Sequence, residues 1–205
     1  MNFSSVSVDR FNYSHNLMNS AEIVSFFFYL LKNNSNFQNK FVNIFCDYAN
    51  EVCNPIKVNN VTQKLKEDKI IEMLTDSQIR WGRAPPTFNT AAYMQNINNI
   101  DEFFKNRANY ALQHMKDFLK LNGTLVDLTI KINGKGKVQI NSIIPDLNSG
   151  EWTGKYFTEI PIAIKAIPDD GYVFKEWSGY DKPIQQNDEI ILSESITITA
   201  TFESV

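Results

Sequence analysis

Seven of the eight glycines lie at or after Gly123, and the hydrophobic period changes at the same place from helical to alternating. A break of this kind marks a domain boundary. The chain is therefore expected to be α+β, with an α-helical region over 1–122 segregated from a small all-β domain over 123–205. The charge divides there too. The first part carries 13 Lys/Arg against 11 Asp/Glu and the second 7 against 12. Neither balance is basic enough to draw the chain to nucleic acid. At 205 residues, with 43% hydrophobic and 21% charged residues, the composition is that of an ordinary soluble globular protein.

Before the break the residues read as helices. Ser20 can cap "AEIVSFFFYLLKN", which is apolar nearly all round and is expected to pack deeply. Ser35 with Gln38 forms a capping-box pattern for "NFQNKFVNIFCDYANEVC". There Phe37, Phe41, Ile44, Phe45, Tyr48 and Val52 make one stripe at three- and four-residue spacing, and Pro55 ends the run. A third helix is expected over "VNNVTQKLKEDKIIEMLTDSQI". "IRWGRAPPTF" is the connector, and a last helical region over roughly 90–121 stops at Gly123, a left-handed cap.

After the break, "LVDLTIKIN", "GKVQINS", "PIAIKAI", "YVFKEW", "EIILS" and "SITITATFE" alternate and are separated by Gly, Pro, Asn or Asp clusters. "NGKGK" (133–137) reads as an Asn-Gly hairpin turn. It lacks the spacing of a phosphate-binding loop. "PDDG" (168–171) opens like a calcium loop, but Tyr172 and Phe174 stand where further oxygen ligands are needed, so it reads as a turn.

No catalytic constellation is visible. His15 and His114 have no serine or cysteine at a motif-like spacing, and no protein-kinase signature is present. Glu67 with Asp68, and Asp101 with Glu102, lie beside lysines and read as solvated helix faces. Cys46 and Cys53, two helical turns apart, are separated by ~10.5 Å along a helix axis, too far for a disulfide. No metal or cofactor site is expected on the chain. The candidate binding residues are aromatic and basic. Arg80 and Arg83 bracket Trp81 and can grip an anion or clasp the connector. Trp152, Tyr156, Trp177 and Tyr180 can form either a sheet core or a stacking platform for sugars or peptides.

Two family resemblances follow from particular residues. "FFFYLLKNNSNFQNKFVNIFCDYANEVCNP", with Asp47 and Asn50, then Glu72, Met73, Arg80 and Trp81 in "IIEMLTDSQIRW", and then Phe103 and Arg107 in "IDEFFKNRANYALQHM", resemble in order the C-terminal tail of the spore-coat CotH kinase family, over roughly 20–120. These are atypical secreted or spore-coat protein kinases. The resemblance places their ATP- and metal-binding residues N-terminal to the matched stretch, so it implies neither ATP nor a divalent metal on this chain unless a kinase core lies upstream. "KINGKGKVQINS", "AIPDDGYVFKEWSG" and "ITITATF" resemble a divergent internalin-type B-repeat, also called a bacterial repeat domain, over about 124–205. Ala166, Pro168, Gly171, Tyr172, Phe174 and Trp177 carry its pattern.

Together these resemblances imply a repeat-type β domain and a bacterial envelope or secreted setting. The function expected is that of a non-catalytic accessory or binding region of a CotH-kinase-like protein without its nucleotide-binding core. The alternatives are the C-terminal portion of an active kinase, or a carbohydrate- or peptide-binding surface module. Expected partners are a kinase core, an envelope protein or polysaccharide, or a second copy, with no nucleic acid. The N-terminal "MNFSSVSVDRFNYS" is not a signal peptide, and "IVSFFFYLL" is too short to span a membrane. An extracellular destination would therefore require an export signal on a longer parent.

Overall fold

The computed structural model describes residues 6–9, 11, 31–65, 90–147 and 150–205. Helix α1 spans Ser35–Glu51. Asn34, one residue before the expected cap, receives the Phe37 N–H on its Oδ1 at 3.0 Å. Gln38 is thereby freed, and its amide donates to the Leu119 carbonyl at 3.2 Å instead of closing a capping box. A second helix, α2, is described over 55–65. Asn54 caps it through the Ile56 N–H at 2.9 Å, and Pro55 takes the first helical position, where its missing N–H costs nothing. Pro55 thus starts a helix as well as following one.

Helix α3 spans Thr90–Leu119. It stops earlier than its glycine predicts. Lys120 takes the left-handed conformation with φ 54°. Leu121 N–H bonds Lys116 O at 3.0 Å and Lys120 N–H bonds Asp117 O at 3.3 Å, a Schellman pair. Gly123 has a different role, because a Cβ there would lie 2.1 Å from the Thr158 carbonyl oxygen.

The chain forms two compact units that interleave in sequence, Met1–Asp9 with Val52–Ala111 and Arg10–Glu51 with Leu112–Val205. In the first, buried Thr62 donates to Asp101 Oδ1 at 2.6 Å. Arg107 lies over the Phe103 ring and donates to the Val6 and Val8 carbonyls at 2.8 and 3.0 Å. Asp101 is therefore a packing partner, whereas neighbouring Glu102 pairs with Lys105 at the surface.

The second unit holds seven strands, β1 (Leu125–Asn133), β2 (Gly136–Ile140), β3 (Glu151–Phe157), β4 (Ile162–Pro168), β5 (Tyr172–Ser178), β6 (Asn187–Ile190) and β7 (Ile196–Ser204). They form a four-stranded sheet, β3-β1-β7-β5, and a three-stranded sheet, β2-β4-β6. The class is α+β, with the described helices first and the β domain after. β1 pairs in parallel with β7 and antiparallel with β3, and β2 pairs with β4. The Asn133-Gly134 step is therefore no hairpin and carries the chain from one sheet to the other. Gly134, with φ 95°, runs so close to β7 that an added Cβ would sit 2.1 Å from Phe202 O.

Alternation builds the core. Leu128, Ile130, Ile198, Ala200 and Phe202 bury one face of the first sheet, and Val138, Ile140, Ile162, Ile164, Ala166 and Ile190 one face of the second. The faces meet: a Cβ on Gly136 of β2 would lie 2.6 Å from the Phe202 ring of β7. On the outer face of β1–β3, Asp127, Thr129 and Lys131 stand opposite Lys155, Thr153 and Glu151, giving two ion pairs around a hydroxyl pair. Alternation does not mark β3 in the sequence, because Gly154 at its centre and the charged Glu151 and Lys155 interrupt the apolar pattern.

Candidate functional site

Helix α1 has two packing faces where one stripe was expected. Phe37, Phe41 and Phe45 stack in series, and Phe11 meets Phe41, Phe45 and Phe118 with ring centroids 5.5–6.4 Å apart. Val42, Cys46 and Ala49 are buried on another side. Ile44, Tyr48 and Val52, expected in the apolar stripe, are exposed. A third row, Asn43, Asp47 and Asn50 at four- and three-residue spacing, shares one helix face and fastens the helix to the β domain.

Asp47 is fully buried. Its Oδ1 accepts the Tyr156 hydroxyl at 2.8 Å and Asn141 Nδ2 at 3.3 Å. Its Oδ2 accepts the Ser142 N–H at 2.9 Å and hydroxyl at 2.5 Å. Four donors fill the acceptor capacity of a carboxylate, the condition under which such a group is tolerated in an interior. Asn141 holds the turn in place: its backbone takes φ 42°, its N–H reaches Ala163 O, and its Oδ1 accepts the Ala163 N–H at 2.9 Å.

Asn50 works on a sheet edge. β3 is the outermost strand of its sheet, and Lys155 is bonded there by one amide in both directions. Asn50 Oδ1 accepts the Lys155 N–H at 2.8 Å and Asn50 Nδ2 donates to the Lys155 carbonyl at 3.0 Å. A side-chain amide thus stands in for a neighbouring strand and covers an edge otherwise open to pairing. Gly154 permits the approach, since a Cβ there would lie 2.9 Å from Asn50 Nδ2 and 2.2 Å from the Trp152 ring. Asn43 completes the row by donating to Pro161 O at 2.6 Å.

Burial pushes the Tyr156 phenol up, and the Asp47 carboxylate beside it adds to the shift. Burial, then Asp47, also pushes the Cys46 thiol up, against a hydrogen bond with the Phe157 backbone. Burial raises Cys53 as well, opposed by Arg107. Both cysteines are free thiols, and these environments oppose thiolate formation. Among the described residues no group of three or more His, Cys, Asp or Glu could hold a metal ion.

The structure does not bring the sequence-derived candidates together. Arg80, Trp81 and Arg83 lie outside the described residues. Tyr156 is fully buried and bonded to Asp47, so it offers no stacking surface and belongs to the interior. Trp152, half-buried, folds over Gly154 on edge strand β3. Trp177 lies on the opposite edge strand, three strands or ~14 Å away at normal strand spacing. A register shift between Phe174 and Glu176 turns Trp177 to the side of Phe174, with ring centroids 5.4 Å apart. Trp177 Nε1 donates to Gln185 O at 2.8 Å, and Tyr180 Oη donates to Ile191 O at 3.0 Å and accepts the Ile191 N–H at 3.2 Å. These two side chains pin the β5–β6 connection. Two backbone N–H groups, of Gln185 and Glu189, hold the Asp188 carboxyl, near the start of β6, below its ordinary range. The sequence reading missed Asn43, Asn141 and Ser142, although the 43–47–50 polar spacing was a usable signal for the helix.

Beside this clamp lies an open cleft of about 480 Å³. One wall is Asn36, Asn39, Lys40 and Asn43 of α1, and the other includes Ala163 and Glu189, which face each other in the β4–β6 register. Ile44 and Pro161 also line it, and Asn141 and Ser142 form the part next to Asp47.

No helix among the described residues is long and apolar enough to cross a membrane. No curated protein and no solved structure matches the chain. Residues 127–205, which hold the whole β domain except the first two residues of β1, match the family model of the divergent InlB B-repeat domain.

Proposed function

We propose that this chain is a non-catalytic accessory or binding region of a bacterial cell-surface or secreted protein, in which helix α1 and a B-repeat-type β domain act as one body. The observation that carries this reading is the clamp. A buried polar cluster, Asp47 with Tyr156, Asn141 and Ser142, spends its hydrogen bonds within the fold, joining the helix to the β domain. The B-repeat match of residues 127–205 supports the surface setting.

The CotH-kinase part of the reading rests on the ordered passages between residues 20 and 120. Three of the residues that carry it have structural employment here. Asp47 and Asn50 bind the β domain, and Arg107 binds the 6–8 segment. In this proposal the helical part is the tail of a kinase-like parent, and any ATP or divalent-metal chemistry belongs to a core upstream of it.

Two experiments test the proposal. The purified chain incubated with radiolabelled ATP, Mg²⁺ or Mn²⁺ and generic acceptor proteins is expected to transfer no phosphate; reproducible transfer would overturn the non-catalytic assignment. Antibody against the β domain is expected to label intact cells of the source organism, and labelling only after lysis would overturn the surface assignment.

A further inference from the structure

We infer that the cleft between α1 and the outer side of β4–β6 is a binding site for a neutral oligosaccharide. This deepens the reading above and rests on its binding-region part. Its volume, about 480 Å³, falls within the ~300–1,000 Å³ typical of small-ligand sites. Its inner end is rigid. Asn43 is fixed to Pro161 O, Asn141 to Ala163, and Ser142 to Asp47, so this end of the cleft is set before a ligand arrives.

The outer part is chemically open. Among the described residues the side chains of Asn36, Asn39, Lys40 and Glu189 hold no hydrogen-bond or ion-pair partner. Two amides, an ammonium and a carboxylate thus offer donors and acceptors together, the set that vicinal hydroxyl groups satisfy in both directions. Lys40 and Glu189 come from opposite walls with opposite charge, so neither an anion nor a cation matches the site and a neutral ligand does. Ile44, Pro161 and the short Ala163 add an apolar strip beside the polar groups. A sugar ring has this same division, a rim of hydroxyls around a C–H face. Binding is thereby moved from the aromatics to an amide-lined cleft.

The test uses the full chain and a panel of neutral hexasaccharides built from glucose, mannose, xylose or N-acetylglucosamine. Calorimetric titration is combined with ¹⁵N-resolved side-chain amide spectra. At least one sugar is expected to bind and to move the Asn36 and Asn39 side-chain resonances. Asn39→Ala with Glu189→Ala, both at the surface, is expected to weaken that binding by about tenfold or more, the scale of losing one or two hydrogen bonds. Lys40→Ala is expected to weaken it less, and Lys131→Ala, on the outer face of the other sheet, to leave it unchanged. Absence of binding across the panel, binding indifferent to the cleft variants, or preference for an acidic or basic peptide would each overturn the inference. None of these would touch the cell-surface labelling result, so the two readings fail separately.

Discussion

Asp47 shows how one residue can decide what an interface tolerates. A buried carboxylate is costly unless its lone pairs are filled, and here four neutral donors fill them. Asp47→Asn replaces an acceptor with an NH₂ group that must face donors. The expected loss is about 2–4 kcal/mol, the scale of leaving one or two buried donors unsatisfied. Urea unfolding of the two proteins measures it, and equal midpoints would refute the clamp. Tyr156 gives a signed pH dependence. Its folded pKa is raised, so its contribution is complete below the unfolded value of ~10 and declines above it. Between those two values the unfolded state has lost a proton that the folded state keeps, which favours unfolding by ~1.4 kcal/mol per pH unit. Tyr156→Phe lacks this dependence. The stability gap between wild type and Tyr156→Phe is therefore expected to narrow at that rate above pH ~10, and a gap constant to pH 11 would contradict the buried phenol.

At the scale of elements, β3 and α1 depend on each other. β3 is an edge strand with a glycine at its centre, features that weaken a strand alone. α1 is a helix whose polar row would be unremarkable in solvent. Asn50 joins them by occupying both backbone groups of Lys155. The Lys155 amide is therefore expected to exchange slowly with solvent although it faces away from β1, and Asn50→Ala is expected to accelerate it by at least about tenfold, consistent with loss of one hydrogen bond. Exchange at Ile130 and Ile198, in the strands behind, is expected to stay slow. If Lys155 exchanges at the same rate in both proteins, the amide does not cover the edge.

Over the whole molecule, chain order and compactness part company. The family match begins at residue 127, yet the compact unit containing it also takes in Arg10–Glu51 and Leu112–Leu119. A fragment of residues 124–205 is expected to unfold at lower denaturant than the β domain of the full chain. It would leave Tyr156 and the 141–142 turn without Asp47 and the β3 edge without Asn50. Following Trp177 fluorescence against urea in both proteins, with Trp81 and Trp152 replaced by phenylalanine, checks this, and identical midpoints would make α1 dispensable.

Much of this was legible in residue order. Period-two alternation marked six of the seven strands, and the glycine break located the change from helix to sheet, because those signals are local. Alternation could not decide which strands share a sheet. Asn133-Gly134 has the composition of a hairpin turn, and only the parallel pairing of β1 with β7 shows that it crosses between sheets. The candidate aromatics were assigned by type, but stacking needs proximity, and the sheet order sets Trp152 and Trp177 on opposite edges. The clamp was the least legible feature. Its helix half has a readable spacing, while its receiving half comes from residues about 94–109 positions away, brought to Asp47 and Asn50 by the tertiary fold. The sequence by itself determined the α+β division, most of the strands and the repeat character of the β domain. Only the tertiary structure decided that Asp47 and Asn50 belong to that domain, because a buried carboxylate and an open strand edge acquire their requirements only when distant segments meet.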